Sequence, residues 1–169
     1  MNVRKRENIM HVEAKLEELG LTLPEPPRLP PGMQLSFVWL RVYQDRAYVA
    51  GQGPLNPDGS IAEPLGKVGV DLTPEQGYQA ARLSALTILS SLKRELGDLD
   101  RVTAWLMVYG LVNADPDFTL TTNVVNGFSD LILEVYGPEV GKHARMAPGL
   151  ATLPLGVPVT IPAEVAISS

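Results

Sequence analysis

Thr73-Pro74-Glu75-Gln76 constrains the fold of this chain more than any other stretch, because three independent helix-start signals coincide there. Threonine suits the cap, proline suits the first helical position, and a glutamine three residues after the cap can close a capping box. The helix so begun is expected to run from Pro74 to about Leu96, where Gly97 ends it. Tyr78, Ala81, Ala85, Ile88 and Leu92 form one apolar stripe, widened by Leu89 and Leu96, while Arg82, Lys93, Arg94 and Glu95 hold polar positions. A helix of that length with a single stripe requires a broad apolar surface to lie on.

The remaining pattern supplies that surface. Leu35 to Val42 and Ala47 to Ala50 read as a strand pair joined by Gln44-Asp45-Arg46. Asn56-Pro57-Asp58-Gly59 is turn chemistry. Val102 to Val112, with Trp105, Leu106, Met107, Val108 and Tyr109, suits a central strand covered on both faces. A second helix is expected from about Phe118 to Tyr136, closed by Gly137-Pro138. Met146 to Leu153 and Val157 to Ile167 read as two further strands separated by Leu153-Pro154-Leu155-Gly156. Ahead of all this, Ile9, Val12, Leu16 and Leu19 keep helical spacing up to Gly20, and Pro24 to Gly32 favours extended polyproline geometry. We therefore expect an N-terminal helix and Pro-rich linker over residues 1–32 and a single α+β domain over 33–169. Its two long helices share one face of a mixed sheet. The other face, rich in Val, Ile and Leu, still needs a cover, which points to a ring-shaped oligomer.

Composition narrows the chemistry. With 169 residues one domain suffices, and a net charge of -5 gives no global field for a nucleic-acid backbone. Arg4-Lys5-Arg6 is the only basic cluster and reads as a solvated tail. The absence of cysteine removes disulfides, thiolate nucleophiles and thiolate metal ligands. His11 and His143 lie in no ligand spacing, so neither a metal nor another cofactor is expected. No apolar run reaches the roughly 18–20 residues of a membrane span and no signal peptide is evident, so a cytoplasmic protein is expected.

Arg145 stands out within His143-Ala144-Arg145-Met146-Ala147-Pro148-Gly149-Leu150-Ala151-Thr152-Leu153-Pro154, because a guanidinium entering an apolar strand calls for an anionic partner. That partner is either a structural carboxylate or the carboxylate of a bound small molecule, which the planar fork holds with two parallel hydrogen bonds. Gly51 and Gln52, at a strand end, offer backbone that a ligand can approach, or else Gly51 relieves a bend. Tyr48 reads as packing. Asn126, Ser129 and Asp130 form a polar cluster on the second helix, and Asn126-Gly127 weakens that helix where something approaches closely.

Taken together, Gly51-Gln52 with Pro54-Leu55-Asn56-Pro57-Asp58-Gly59, the helix after Asp71-Leu72-Thr73, Gly97-Asp98-Leu99-Asp100-Arg101-Val102, and Ala144-Arg145 followed by Leu153-Pro154 resemble the YjgF/YER057c/UK114 family. This is also called the Rid (reactive intermediate deaminase) or endoribonuclease L-PSP family. The resemblance spans about residues 35 to 168, and Asn126 to Asp130 with His143-Ala144-Arg145 look like a longer subfamily. It implies a chorismate-mutase-like protomer, a homotrimer with a central barrel, and clefts between protomers that bind small carboxylates. The implied reaction is hydrolysis of 2-imino acids to 2-keto acids and ammonia, with Arg145 gripping the carboxylate. The glutamate that relays protons in the archetypal members matches Thr160 here, whose hydroxyl cannot act as a carboxylate base. Glu164, the only acid on that strand, is the candidate substitute. A non-catalytic carboxylate-metabolite sensor is therefore the alternative to a deaminase, and a ribonuclease is disfavoured by charge.

Overall fold

The computed structural model describes residues 12–168, so Arg4-Lys5-Arg6, His11 and the first turn of the expected N-terminal helix lie outside the described residues. The chain begins with a short helix α1 (Val12–Glu18), followed by a hairpin of β1 (Leu40–Tyr43) and β2 (Arg46–Gln52). Then come α2 (Pro74–Leu96), β3 (Val102–Tyr109), β4 (Leu111–Asn113), α3 (Thr121–Gly141), β5 (Ala144–Met146), β6 (Gly149–Leu150) and β7 (Val159–Ile167). The sheet runs in the order β1-β2-β7-β3-β5, with β4 bridging β6 and β7. The pairs β3–β5 and β4–β6 are parallel and the rest antiparallel, so the sheet is mixed.

The α2 start takes the form its sequence dictates. Thr73 Oγ1 accepts from the Gln76 N–H at 3.2 Å and Gln76 Oε1 accepts from the Thr73 N–H at 2.9 Å, closing the capping box. Gly97 ends the helix at φ 78°, in the left-handed region.

Several expected boundaries move, four of them for a physical reason the structure shows or by more than two residues. The first strand begins at Leu40 rather than Leu35, and the run from Val102 to Val112 breaks at Gly110. There a Cβ would stand 2.4 Å from the Val125 side chain, so only glycine lets α3 pass. The stretch from Met146 to Leu153 divides into β5 and β6, since Pro148 has no N–H to give a ladder. Finally, α3 starts at Thr121 and does not close at Gly137-Pro138. Gly137 adopts φ 71° and ψ 173°, breaking the helix, and Pro138 opens a further turn that runs to Gly141. Proline is tolerated in a first helical turn because its missing N–H would have had no partner there.

Both long helices lie on one sheet face. Val159, Ile161, Ala163, Val165 and Ile167 of β7 alternate inward and are buried, while Thr160, Pro162, Glu164 and Ala166 face the open side. On that side Tyr43 and Tyr48 are 58% and 40% exposed, and Met146 is 48% exposed. Trp105, on the helix side, meets Phe128 and Tyr136 of α3 edge-on, with ring centroids 5.6 and 5.9 Å away.

The N-terminal segment is tied to the same body. Val12 N–H donates to Asp100 Oδ1, and Glu13 Oε1 accepts from Lys93 Nζ and from the Leu99 N–H. Further on, Ser90 Oγ donates to the Pro24 carbonyl, and the Glu25 and Arg28 N–H groups donate to Pro57 and Gly59 carbonyls. Among the described residues no helix is long and apolar enough to cross a membrane.

Where α2 and α3 touch, a Cβ on Gly127 would lie 2.0 Å from the Tyr78 carbonyl oxygen. What the Asn126-Gly127 step admits is therefore the backbone of α2. Gly127→Ala must push the helices apart, and the mutant is expected to lose roughly 2–3 kcal/mol or more of stability in urea unfolding. An unchanged unfolding midpoint would show that the contact is looser than described.

Candidate functional site

Arg145 sits on the edge strand β5, in register with Val108 of β3, which faces the helices. Its guanidinium accordingly turns towards α3. Nη1 donates to Asn126 Oδ1 at 3.0 Å and to Ser129 Oγ at 2.9 Å. Asn126 and Ser129 stand three apart on α3, so both reach the same spot. Among the described residues no carboxylate lies within ion-pair distance of Arg145. Burial lowers its pKa, opposed by the charge of Asp130, and the guanidinium stays protonated at any working pH. Asp130 itself is exposed, and its Oδ2 accepts from the Tyr78 hydroxyl at 2.9 Å.

Both Nη1 hydrogens are thus spent on neutral acceptors. Among the described residues no partner reaches Nε or Nη2, which form the straight edge that a carboxylate matches with two parallel bonds.

His143 extends this group. Its Nδ1 lies 2.7 Å from the Gly141 carbonyl and its Nε2 lies 2.9 Å from Ser129 Oγ. A carbonyl only accepts, so Nδ1 carries the hydrogen, and in the neutral ring Nε2 is the acceptor for the Ser129 hydroxyl. The half-buried ring is held below its ordinary pKa, first by burial and also by the Arg145 charge, against the opposing pull of the Gly141 carbonyl.

The other candidates lie elsewhere. Thr160 and Glu164 face the open side of β7, two strands from β5 and so about 10 Å across the sheet. The fold of the chain therefore does not bring them to Arg145. Glu164 approaches Arg46 Nη1 at 4.0 Å and pairs in register with Tyr48. Gly51 abuts Thr160, since a Cβ there would stand 3.0 Å from Thr160 Oγ1. The Gln52 side chain is buried, with Oε1 accepting from Ser91 Oγ at 2.8 Å, so only its backbone remains for a ligand. A separate cavity of about 130 Å³ lies between the 54–64 loop and the start of α2, lined by Pro54, Ala62, Pro64, Gln76 and Leu83, and no residue of the Arg145 group borders it.

Sequence reasoning passed over His143 because it tested the residue only as a metal ligand. The signal was its position two before Arg145, which puts both side chains on one side of an extended segment.

A family model described as YjgF/chorismate-mutase-like endoribonuclease matches residues 43–161. Protein TCP17 of Trypanosoma cruzi is 40% identical over 158 residues, covering 94% of this chain and 95% of its own. Among solved structures, Atu1372 of Agrobacterium tumefaciens, of unknown function, is 36% identical with a TM-score of 0.83 and 94% of each chain covered. TdcF of E. coli with bound serine is 17% identical, with a TM-score of 0.59 over 88% of this chain and 96% of its own, a likeness of fold alone.

The lowered His143 pKa fixes the sign of a pH effect. In the window between the lowered folded value and the unfolded one near 6.5, the unfolded state binds more protons, so the contribution of His143 is present above that window and lost as pH falls through it. His143→Gln should lose most relative to the native chain at pH 7.5–8 and least near pH 5. Parallel stability-versus-pH curves would remove the assignment.

Proposed function

The chain belongs to the YjgF/chorismate-mutase-like endoribonuclease family, and on that premise we propose that it binds a small 2-imino or 2-keto acid through Arg145 and hydrolyses the imine to keto acid and ammonia. The observation that carries this reading is the guanidinium held in place by two neutral acceptors with its Nε–Nη2 edge unoccupied among the described residues. A structural arginine would spend that edge on a carboxylate of its own chain. Held in a partly dry site, a fixed cation orients a carboxylate without competing as a base. Serine bound to TdcF is a small carboxylate of the kind proposed, on the same fold.

The open sheet face supports a homotrimer as the working form, because Tyr43, Tyr48 and Met146 leave apolar area uncovered. In that assembly β5, at the sheet edge, would border a neighbouring copy, and the cleft between them would receive the ligand, with the backbone of Gly51 and Gln52 and the side chains of Thr160 and Glu164 facing the assembly. Light scattering should give the mass of three chains. A single-chain mass at micromolar concentration would remove both the trimer and the shared cleft.

A second reading is favoured by Thr160, which stands where a carboxylate base is expected: the protein binds the carboxylate metabolite and senses it without catalysis. Ammonia release from 2-iminopropionate and 2-iminobutyrate generated in situ separates the two. The deaminase reading expects acceleration by the native protein and a loss of about 100-fold or more in Arg145→Ala. Full activity in Arg145→Ala would sink the role given to that residue. Acceleration seen only after Thr160→Glu would favour the sensor.

A further inference from the structure

We propose that Gln52, Ser91 and Arg94 are positioning residues: through them the N-terminal proline segment holds the bulge of β2 that carries the Gly51 main chain. The proposal deepens the reading in which that main chain faces the ligand cleft, and rests on it. The family match begins at residue 43, so the segment from Pro24 to Arg28 lies outside it. The strut gives that segment a function.

The strand leaves its regular ladder where Gly51 sits. Val49 pairs with Ala163 and Gln52 with Ile161, so Ala50 and Gly51 together stand opposite the single residue Pro162. One extra residue on one strand is a bulge, and a proline inside a sheet, with no N–H to give, is found at such places. The extra residue shifts the alternation. Ala47 and Val49 turn inward at an even step, and the next inward residue is Gln52. Gly51 is thereby laid against Thr160, where a Cβ would meet Oγ1 at 3.0 Å.

Gln52 is polar and only 2% exposed, in an inward position whose predecessors are apolar. The Trp39 carbonyl accepts from the Ala50 N–H at 2.9 Å and from Gln52 Nε2 at 3.4 Å. A carbonyl only accepts, so the amide nitrogen must face it. Oε1 is then turned to α2, where it accepts from Ser91 Oγ at 2.8 Å. The one hydroxyl hydrogen of Ser91 goes there, and its oxygen receives Arg94 Nη2 at 2.9 Å. With Nη1 Arg94 reaches Ser90 Oγ, whose own hydrogen goes to the Pro24 carbonyl. Serines three and four residues before Arg94 are both within its reach on the helix surface. The strut therefore runs from Pro24 through Ser90, Arg94 and Ser91 to Gln52 with each hydrogen assigned.

The same segment also grips the chain beyond the bulge. The Glu25 and Arg28 N–H groups donate to the Pro57 and Gly59 carbonyls, and a Cβ on Gly59 would lie 2.3 Å from the Pro26 carbonyl oxygen. Gly51 and Gln52 thus lie between two attachments of one segment, the first through the strut and the second through the turn that follows β2. Prolines fix φ along that segment, so the two attachments keep their spacing. A fully satisfied buried polar network specifies one arrangement of the groups it joins, which is what a main chain that must meet a ligand requires.

The test uses the full chain. Amide hydrogen exchange at Gly51 and Gln52, and 2-oxobutyrate affinity by calorimetry, are measured on the native protein, Arg94→Ala, Ser91→Ala, Gln52→Met and the double variant Arg94→Ala/Gln52→Met. Arg82→Ala and Arg145→Ala are run alongside. Arg94 is exposed, so Arg94→Ala carries the test where a buried substitution fails to fold. The strut expects exchange at Gly51 and Gln52 to quicken about tenfold or more beyond that at Trp105 and Val108, whose amides report opening of the core. It expects 2-oxobutyrate affinity to fall about tenfold in each single variant, and no further in the double variant, because the groups act in series. Arg82→Ala, which removes a guanidinium that pairs with Glu134, leaves both readouts native. Exchange that quickens equally at all four amides, or at none, in Arg94→Ala overturns the strut, the first outcome being the mark of a merely structural role. Losses of affinity that add in the double variant overturn it too. If exchange quickens at the bulge and affinity is kept, while Arg145→Ala does not bind, the positioning role fails and the carboxylate anchor stands. A native protein that binds no 2-oxobutyrate and releases no ammonia from 2-iminobutyrate overturns both.

Discussion

The approach of α2 to α3 at Gly127 is the constraint from which most of the structure follows. With no side chain at that position, the α3 backbone lies directly against the Tyr78 carbonyl. Two helices that close can share one sheet face and bury their stripes against the same strands. The contact also sets the axial position of α3. Two and three residues further along, Ser129 and Asp130 fall on either side of the helix ridge, the first meeting Arg145 and the second meeting Tyr78. The same contact thus fixes the packing of the core and the placement of the site.

The polar group around Arg145 is economical in charge. A half-buried guanidinium satisfied by Asn126 and Ser129 keeps two charge-assisted bonds, each worth about 1.5–3 kcal/mol, without neutralising the cation. A carboxylate partner would hold the side chain as firmly but would quench the field that makes the position useful for an anion. Thr160 and Glu164 belong to the other side of the sheet, where Glu164 neighbours Arg46 and Tyr48 and Thr160 abuts Gly51. The two sides of the sheet therefore carry different polar chemistry, cationic towards α3 and mixed towards the open face.

Much of this was legible in the sequence. The α2 boundaries fell where its cap and terminal glycine put them, because those signals are local. The long β7 strand was legible from its alternation, and the family from the order of short motifs. The split of Met146–Leu153 into two strands was missed because an apolar run outweighed the missing N–H of Pro148. Continuation of α3 beyond Gly137 was missed for the converse reason: Gly-Pro usually ends a helix, and only tertiary packing of Val140 and Gly141 shows that a further turn forms. Asn126, Ser129 and Asp130 were visible as a cluster, but their partners are 14 to 52 positions away in the chain, and no local rule reaches that far. The buried role of the Gln52 side chain was hidden for the same reason, since Ser91 lies on α2.

The attachment of the N-terminal segment carries a consequence for how the chain is made. Seven residues of helix are too few to persist alone in water, and the groups that hold α1 are Lys93, Leu99 and Asp100, 80 or more positions downstream. The proline stretch waits likewise for Pro57, Gly59 and Ser90. At a synthesis rate of about 5–20 residues per second, roughly 4–16 seconds separate the emergence of α1 from that of its partners. This segment leaves the ribosome before its partners and is thus among the last to settle, and during that interval its proline stretch is open to any other molecule that recognises an extended, proline-rich peptide.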